Sequence, residues 1–253
     1  MASMADRTHS SWATVTASET RPDLKPAGTA IAANGESSEI AVLHLRGRAM
    51  KATFELEDTE LKLAGGPIAG VDEVGRGPWA GPVVTAAVVL DPADIPDGIA
   101  DSKSLDADAR ELMYARITTR AIDWAIGVAD VDRIDRDNIL NATMWAMADA
   151  VARLKTRPRL VLIDGNRAPR LPCATRAVVK GDARCLSIAA ASIVAKVTRD
   201  RMMVEFAQTN PGYGFERHKG YGTPEHQAAI ERLGVTPLHR RSFRPIQLAL
   251  GIV

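Results

Sequence analysis

The sequence predicts an α/β domain, a mixed β-sheet with helices on both faces, and three observations carry that prediction. Short apolar runs at residues 68–73, 83–90 and 160–163 have the length of strands and are bounded by Gly, Pro and Asp. The first two are joined by only a short Gly- and Pro-containing link, as a hairpin requires, whereas the later run alternates with helical segments, as parallel crossovers require. Between these runs apolar residues recur at helical spacing, most clearly Ile139, Ala142, Ala146, Met147, Ala150, Val151 and Leu154.

The elements follow in order. Residues 1 to about 38 are rich in Ser, Thr, Ala, Pro and Gly and lack a sustained apolar period, so they are expected to be disordered. Residues 40–45 fit a short strand and 55–63 a helical turn or two, before Gly65-Gly66-Pro67 breaks the chain. Residues 1–66 are therefore read as an N-terminal extension, and 67–253 as the globular domain. In that domain, 68–73 is a strand ending at Gly75-Arg76-Gly77, and 83–90 is a strand buried on both faces. Residues 106–120 form a helix with Asp106 as a possible N-cap. Residues 122–131 are a third strand, 138–154 a helix, 160–163 a fourth strand and 176–179 a fifth. Residues 183–206 form a long helix. The segment from about 210 is helical, with a helix at 224–233 that starts on Pro224.

Composition excludes several classes. Hydrophobic residues make up 46% and charged residues 25% of the 253, as in an ordinary soluble globular protein. Two unclustered cysteines, Cys173 and Cys185, form neither a disulfide framework nor a zinc site. No apolar run reaches the length of a membrane span, and the N-terminus lacks the apolar core of a secretory signal, so a cytoplasmic location is expected. The net charge of +1 hides an asymmetry: residues 1–66 carry −2, residues 67–160 carry −4 and residues 161–253 carry +7. The basic last third fits a phosphate-binding surface.

Four carboxylates stand out by position. Asp72 and Glu73 are adjacent on the first strand, Asp164 follows the fourth, and Asp182 follows the fifth and opens the long helix. Neighbours on a strand point to opposite faces, so Asp72 and Glu73 share a site only at a strand end or where the backbone is irregular, which Gly75 and Gly77 permit. Gathered carboxylates repel one another, and a divalent cation relieves the repulsion. Hard oxygen ligands without Cys or His select Mg²⁺ or Mn²⁺ over Zn²⁺. Taken singly, Asp182 is also an ordinary helix cap and Asp164 an ordinary turn residue.

At this point the residues resemble the ribonuclease HII family. The resemblance runs through Gly70-Val71-Asp72-Glu73-Val74-Gly75-Arg76-Gly77 and Ala80-Gly81-Pro82-Val83-Val84, then Asp101-Ser102-Lys103-Ser104-Leu105 and Ile139-Leu140-Asn141-Ala142-Thr143-Met144. It continues through Leu162-Ile163-Asp164-Gly165-Asn166, Lys180-Gly181-Asp182-Ala183 and the helix from Ala190 to Asp200. His218-Lys219-Gly220-Tyr221-Gly222-Thr223 and His239-Arg240-Arg241-Ser242-Phe243 complete the order, so that roughly 68–245 is covered.

The resemblance implies a ribonuclease H-like mixed sheet flanked by helices, with a C-terminal helical extension. It implies that Asp72, Glu73, Asp164 and Asp182 bind two divalent ions, Mg²⁺ or Mn²⁺, and are the catalytic residues. The implied substrates are RNA/DNA hybrids, cut in the RNA strand, and duplex DNA containing a ribonucleotide, incised on its 5′ side. Gly75, Arg76, Gly77 and Tyr221 are implied as ribose contacts, and Lys103, Ser192 and Lys196 as phosphate contacts. Tyr221 sits between two glycines that leave its ring accessible; a core aromatic is the alternative. Ser187 departs from the pattern, since the family often has an acid there. Arg240 and Arg241 are read as phosphate contacts or as anchors of the C-terminal segment, and His218, His226 and His239 as structural or phosphate-facing. A monomer with no membrane association is expected.

Overall fold

The protein's computed structural model describes residues 52–99, 102 and 105–252. Its sheet has the strand order β3-β2-β1-β4-β5, with β1 at Ile68–Val74, β2 at Val83–Val89, β3 at Asp123–Ala129, β4 at Leu160–Asp164 and β5 at Ala174–Val178. β1 pairs antiparallel with β2, which makes the expected hairpin, and β2 with β3, which extends it into a meander. β1 pairs parallel with β4 and β4 with β5, so the sheet is mixed. β1 and β4 thus end side by side at the same edge of the sheet. Polar groups following those two strands face a common crevice.

Helices cover both faces. Helix α2 (Ala107–Arg120) and the long α4 (Leu186–Thr209) pack on one side against Val84, Ala86, Val88, Trp124 and Ile126. Helix α3 (Val131–Arg153) covers the other, where Met147, Ala150, Val151 and Leu154 meet Ala69, Val71, Ala87 and Val161. With both faces covered, all of β2 is buried, and its sequence, apolar but for Thr85, follows from that. The buried stripe of α4 is alanine-rich, at Ala189, Ala190, Ala191 and Ala195, and lets this helix lie close on the sheet. Contact is tightest at Gly70 of β1, where a Cβ would overlap the Ser187 backbone.

Several boundaries differ from expectation, each for a local reason. α3 starts at Val131 rather than 138 because Asp130 caps it, accepting from the Arg133 N–H at 2.8 Å. A second cap lies inside it: Asn138, at φ 65°, accepts from the Leu140 and Asn141 N–H groups and starts the segment that the apolar period had revealed. α4 starts at Leu186 rather than 183, because Gly181–Ala183 form a separate 3-10 turn. Asp182 therefore sits in that turn and does not open the helix. Helix α1 (Glu55–Ala64) is longer than the turn or two expected, and Leu56 and Leu61 pack onto Ile68, Leu160, Leu162 and Ile188. The strand expected at 40–45 and the disorder expected at 1–38 lie outside the described residues.

The C-terminal segment is helical, as expected: α5 (Phe215–His218), α6 (Pro224–Leu233) and α7 (Arg244–Leu250). Ala80, Met203, Tyr213, Phe215, Ala229, Ile230 and Ile246 form its core, which docks on the end of α4 and on the link between β1 and β2. That docking is what brings residues 218–240 to the edge where β1 and β4 end.

Candidate active site

The four acids occupy the common edge of β1 and β4. Asp72 is 7% exposed, and its Oδ1 accepts the Glu73 N–H at 2.7 Å. Burial first, then the charges of Glu73 and Asp164 and more weakly that of Asp182, hold its carboxyl well above the usual range. Glu73 is likewise raised by burial and by Asp164, with Arg76 acting in the opposite direction. Glu73 Oε1 receives Arg76 Nη1 at 3.3 Å, while Oε2 is buried with no hydrogen-bond partner. Asp164 Oδ1 accepts the Gly181 N–H at 2.6 Å, which ties β4 to the turn that carries Asp182. Asp72 and Glu73 are the third-last and second-last residues of β1, and the backbone turns irregular just beyond it, where Gly75 adopts φ 95°.

A cleft of about 280 Å³ opens on this edge. Glu73 and Asp164 line it together with Arg76, Asn166 and Arg167, and Leu140, Met144 and Met147 of α3 form its apolar wall. Among the described residues no three His, Cys, Asp or Glu side chains, as they stand, are grouped as a ligand set. The donor chemistry nevertheless fits a hard divalent cation. Mutually repelling carboxylates are gathered with a buried, unpartnered carboxylate oxygen, and neither Cys nor His is among the four.

The Gly75-Arg76-Gly77 loop is held from beneath by Arg240. This guanidinium is fully buried and donates to the carbonyls of Gly75 at 2.5 Å, Arg76 at 2.9 Å and Gly81 at 2.8 and 2.9 Å. In a trans peptide the N–H points opposite to the C=O. With the Gly75 and Arg76 carbonyls turned down onto Arg240, the N–H groups of Arg76 and Gly77 face away from the interior. Arg199, 1% exposed, works beside it, donating to the carbonyls of Pro82, Ala80 and Lys219 at 2.9–3.2 Å. Burial pushes Arg199 down to about 10 and Arg240 to about 9, so both keep their charge at neutral pH. Of the two readings of Arg240, the structure favours an anchor, and what it anchors is the loop.

Tyr221 lies across from that loop. Its ring carbon Cε1 is 3.6 Å from where a Cβ on Gly77 would stand, and the residue is 48% exposed, so it is not a core aromatic. A chain of histidines sits behind it. The Thr236 N–H donates to His239 Nδ1, so neutral His239 carries its proton on Nε2 and donates to His226 Nε2 at 3.1 Å. His226 must then carry its proton on Nδ1, which donates to the Tyr221 carbonyl at 2.9 Å. His218 stacks on His226 with ring centroids 4.6 Å apart. The three are structural, with tautomers fixed by their neighbours.

The remaining expected contacts sit on α4 and around it. Ser192 is buried and donates to the Ser102 hydroxyl at 2.6 Å. Lys196 pairs with Asp200 at 2.7 Å, and Lys219, whose amine is pushed down chiefly by burial, shares that neighbourhood. Lys103 lies outside the described residues. Ser187 is buried, and both its N–H and its hydroxyl donate to Glu57. The roles of Arg199, Lys219 and Glu57 were missed by sequence reasoning: the arginine and lysine showed only their charge, and nothing near Glu57 signalled burial.

A mixed sheet with acids at the ends of two neighbouring parallel strands, flanked by helices and extended by a helical segment, defines an enzyme of the ribonuclease H fold. A family model for ribonuclease HII matches residues 69–246. Ribonuclease HII of Paracoccus denitrificans is 56% identical over 198 residues, covering 78% of this chain and 94% of that one. The crystal structure of ribonuclease H2 from Pyrococcus horikoshii superposes with a TM-score of 0.64 at 26% identity, over 72% of this chain and 96% of that one. Bst-RNase HIII, solved in complex with Mn²⁺, shares the fold with a TM-score of 0.54 at 23% identity, over 74% and 70% of the two chains. The chain belongs to the ribonuclease HII family and is a ribonuclease H endonuclease.

Proposed function

We propose that this enzyme hydrolyses the RNA strand of RNA/DNA hybrids and also incises duplex DNA on the 5′ side of an embedded ribonucleotide, with two Mg²⁺ or Mn²⁺ ions held by Asp72, Glu73, Asp164 and Asp182. The observation that carries this reading is the set of mutually repelling carboxylates at the ends of β1 and β4, with Asp72 buried and Glu73 and Asp164 lining a cleft. When bound, the two cations supply an activated water and neutralise charge on the leaving oxygen.

The chain's own residues supply recognition. The outward N–H groups of Arg76 and Gly77 are donors for a 2′-hydroxyl, which DNA lacks. The half-exposed ring of Tyr221, facing Gly77, has a face to stack on the sugar and a hydroxyl to bond it. Lys103 and Lys196 contact phosphates, with Lys219 beside Lys196, and Ser192 acts by holding the Ser102 segment. One chain supplies the whole cluster, so we take the working unit as a monomer; two free thiols suit the reducing cytoplasm. Among the described residues no helix is long and apolar enough to cross a membrane.

The test is a labelled DNA duplex holding one ribonucleotide, incubated with Mg²⁺, with Mn²⁺ and with chelator, beside an all-RNA/DNA hybrid. A single metal-dependent nick 5′ to the ribonucleotide is expected. Cutting of the hybrid alone would remove the junction role of Tyr221 and the loop. Binding without cutting in any metal would refute the hydrolytic assignment of the four acids.

A further inference from the structure

Helix α4 begins beside the turn that carries Asp182, and its start is not secured by its own cap. Cys185, at the cap position, makes no side-chain hydrogen bond to the helix. The first turn is instead gripped by the segment at α1. The Thr53 N–H donates to the Arg184 carbonyl and the Leu186 N–H donates to the Thr53 carbonyl, both at 3.2 Å. Glu57 Oε1 then accepts the Ser187 N–H at 2.8 Å and the Ser187 hydroxyl at 2.7 Å. This places a carboxylate on an orphan amide of the first turn, where a capping side chain would act.

Glu57 is 1% exposed, which is unusual for a glutamate with no cationic partner among the described residues. Its Oε2 is buried with no hydrogen bond, and burial pushes its carboxyl up. A buried group held at such cost has a geometric purpose. On the opposite side the same turn of α4 is pressed on Gly70 of β1. The strand that bears Asp72, the turn that bears Asp182 and helix α1 therefore meet at Ser187. The turn itself is closed by the Arg184 and Cys185 N–H groups on the Gly181 carbonyl, and Gly181 is tied to Asp164.

We propose that Glu57 is a positioning residue for the active site: by gripping the first turn of α4 it fixes the 181–185 turn and sets Asp182 against Asp72 and Asp164. The inference rests on the reading of Asp182 as a metal ligand. It places part of the catalytic support on residues 53–57, before the stretch at 69–246 that matches the family model.

The test measures Mn²⁺ binding to the full chain by titration calorimetry, beside the Mn²⁺ dependence of hybrid cleavage. Glu57→Ala is expected to weaken Mn²⁺ affinity about tenfold, the usual scale for losing a group that orients a ligand. Glu57→Gln, whose amide oxygen still accepts both Ser187 bonds, is expected to bind like the parent. Leu61→Ala removes α1 packing without touching Ser187 and serves as the stability-matched control. Parent-like Mn²⁺ binding by Glu57→Ala overturns the proposal, as does equal weakening by Leu61→Ala at equal loss of thermal stability. Should Glu57→Ala not fold, Glu57→Asp, one methylene short of Ser187, carries the same comparison. Asp182→Asn separates the two readings: unchanged binding there overturns the ligand assignment and the inference with it, whereas weakened binding there with parent-like binding in Glu57→Ala overturns the inference alone.

Discussion

Asp72 shows at a single residue how function and stability oppose each other. Its raised pKa means that the native state holds the proton more tightly than the unfolded state. Stability from this group is therefore present below the ordinary carboxylate value near 3.8 and is lost as pH rises through the raised native value. Without metal, charging this carboxyl beside its acidic neighbours works against the fold. Asp72→Asn is expected to abolish hydrolysis and yet to raise the melting temperature of the metal-free protein, by about 3 °C for each kcal/mol of repulsion removed. Calorimetry in chelator at pH 7 decides it; a lower melting temperature for the variant would contradict the repulsion. Asp72, Glu73 and Asp164 stood out in the sequence because each lies at a strand end, where the apolar run stops. Arg199 and Arg240 were not, because a sequence shows a positive charge but not whether it faces phosphate or backbone carbonyls.

At the scale of elements, the 75–77 loop is an irregular turn given one shape by a guanidinium fork. A lysine at 240 keeps the charge but cannot reach three carbonyls in the same geometry. Arg240→Lys is expected to destabilise by roughly 2–3 kcal/mol, from carbonyls left unsatisfied. Because the Arg76 and Gly77 N–H groups lose their aim, nicking at a single ribonucleotide should fall about tenfold relative to cutting of a long hybrid, an extra 1.4 kcal/mol or so in the barrier. Equal losses on both substrates, measured below the variant's melting temperature, would show that the fork only stabilises. Element by element, β1 to β4 were readable as compact apolar runs. The start of α3 was not, because Asp130 caps a turn whose sequence, Val131 to Asp137, holds only two apolar residues, Val131 and Ile134, too few to show a helical stripe. The 3-10 turn at Gly181–Ala183 escaped for a related reason: Asp182 looks like a cap in sequence, and the true start of α4 is set by tertiary partners on α1 and β1.

For the whole molecule, the docking of the C-terminal helices on the sheet edge runs through the neutral chain from His239 and His226 to Tyr221. Desolvation first, then the charge of His226, lowers His239 to about 4, and desolvation first, then the charge of His218, lowers His226. Protonation of His226 would set its Nε2–H against that of His239, and protonation of His239 would set its Nδ1–H against the Thr236 N–H. The native pKa lies below the unfolded 6.5, so the stability this residue adds is full above pH 6.5 and is lost as pH falls toward 4. The acidic cluster has the opposite sign, so the difference between the parent and His239→Asn isolates the histidine. That difference in unfolding free energy, from urea titrations at pH 7.5 and 4.5, is expected to shrink by about 3 kcal/mol at the lower pH. A pH-independent difference would mean that His239 is not held neutral. The fold class and the helical C-terminal extension were both legible at this scale, and so was the charge asymmetry. What the sequence hid was that two cations of its basic last third, Arg199 and Arg240, are internal.

The grip of Arg240 on Gly75 joins residues 165 positions apart in the chain. During synthesis at 5–20 residues per second, the loop is made on the order of ten seconds before the guanidinium that shapes it exists. Over that interval the remaining strands are being made, and the Arg76 and Gly77 N–H groups have no fixed direction. The direction of those amides, and with it the proposed readout of a 2′-hydroxyl, therefore waits on the later segment folding back onto the loop.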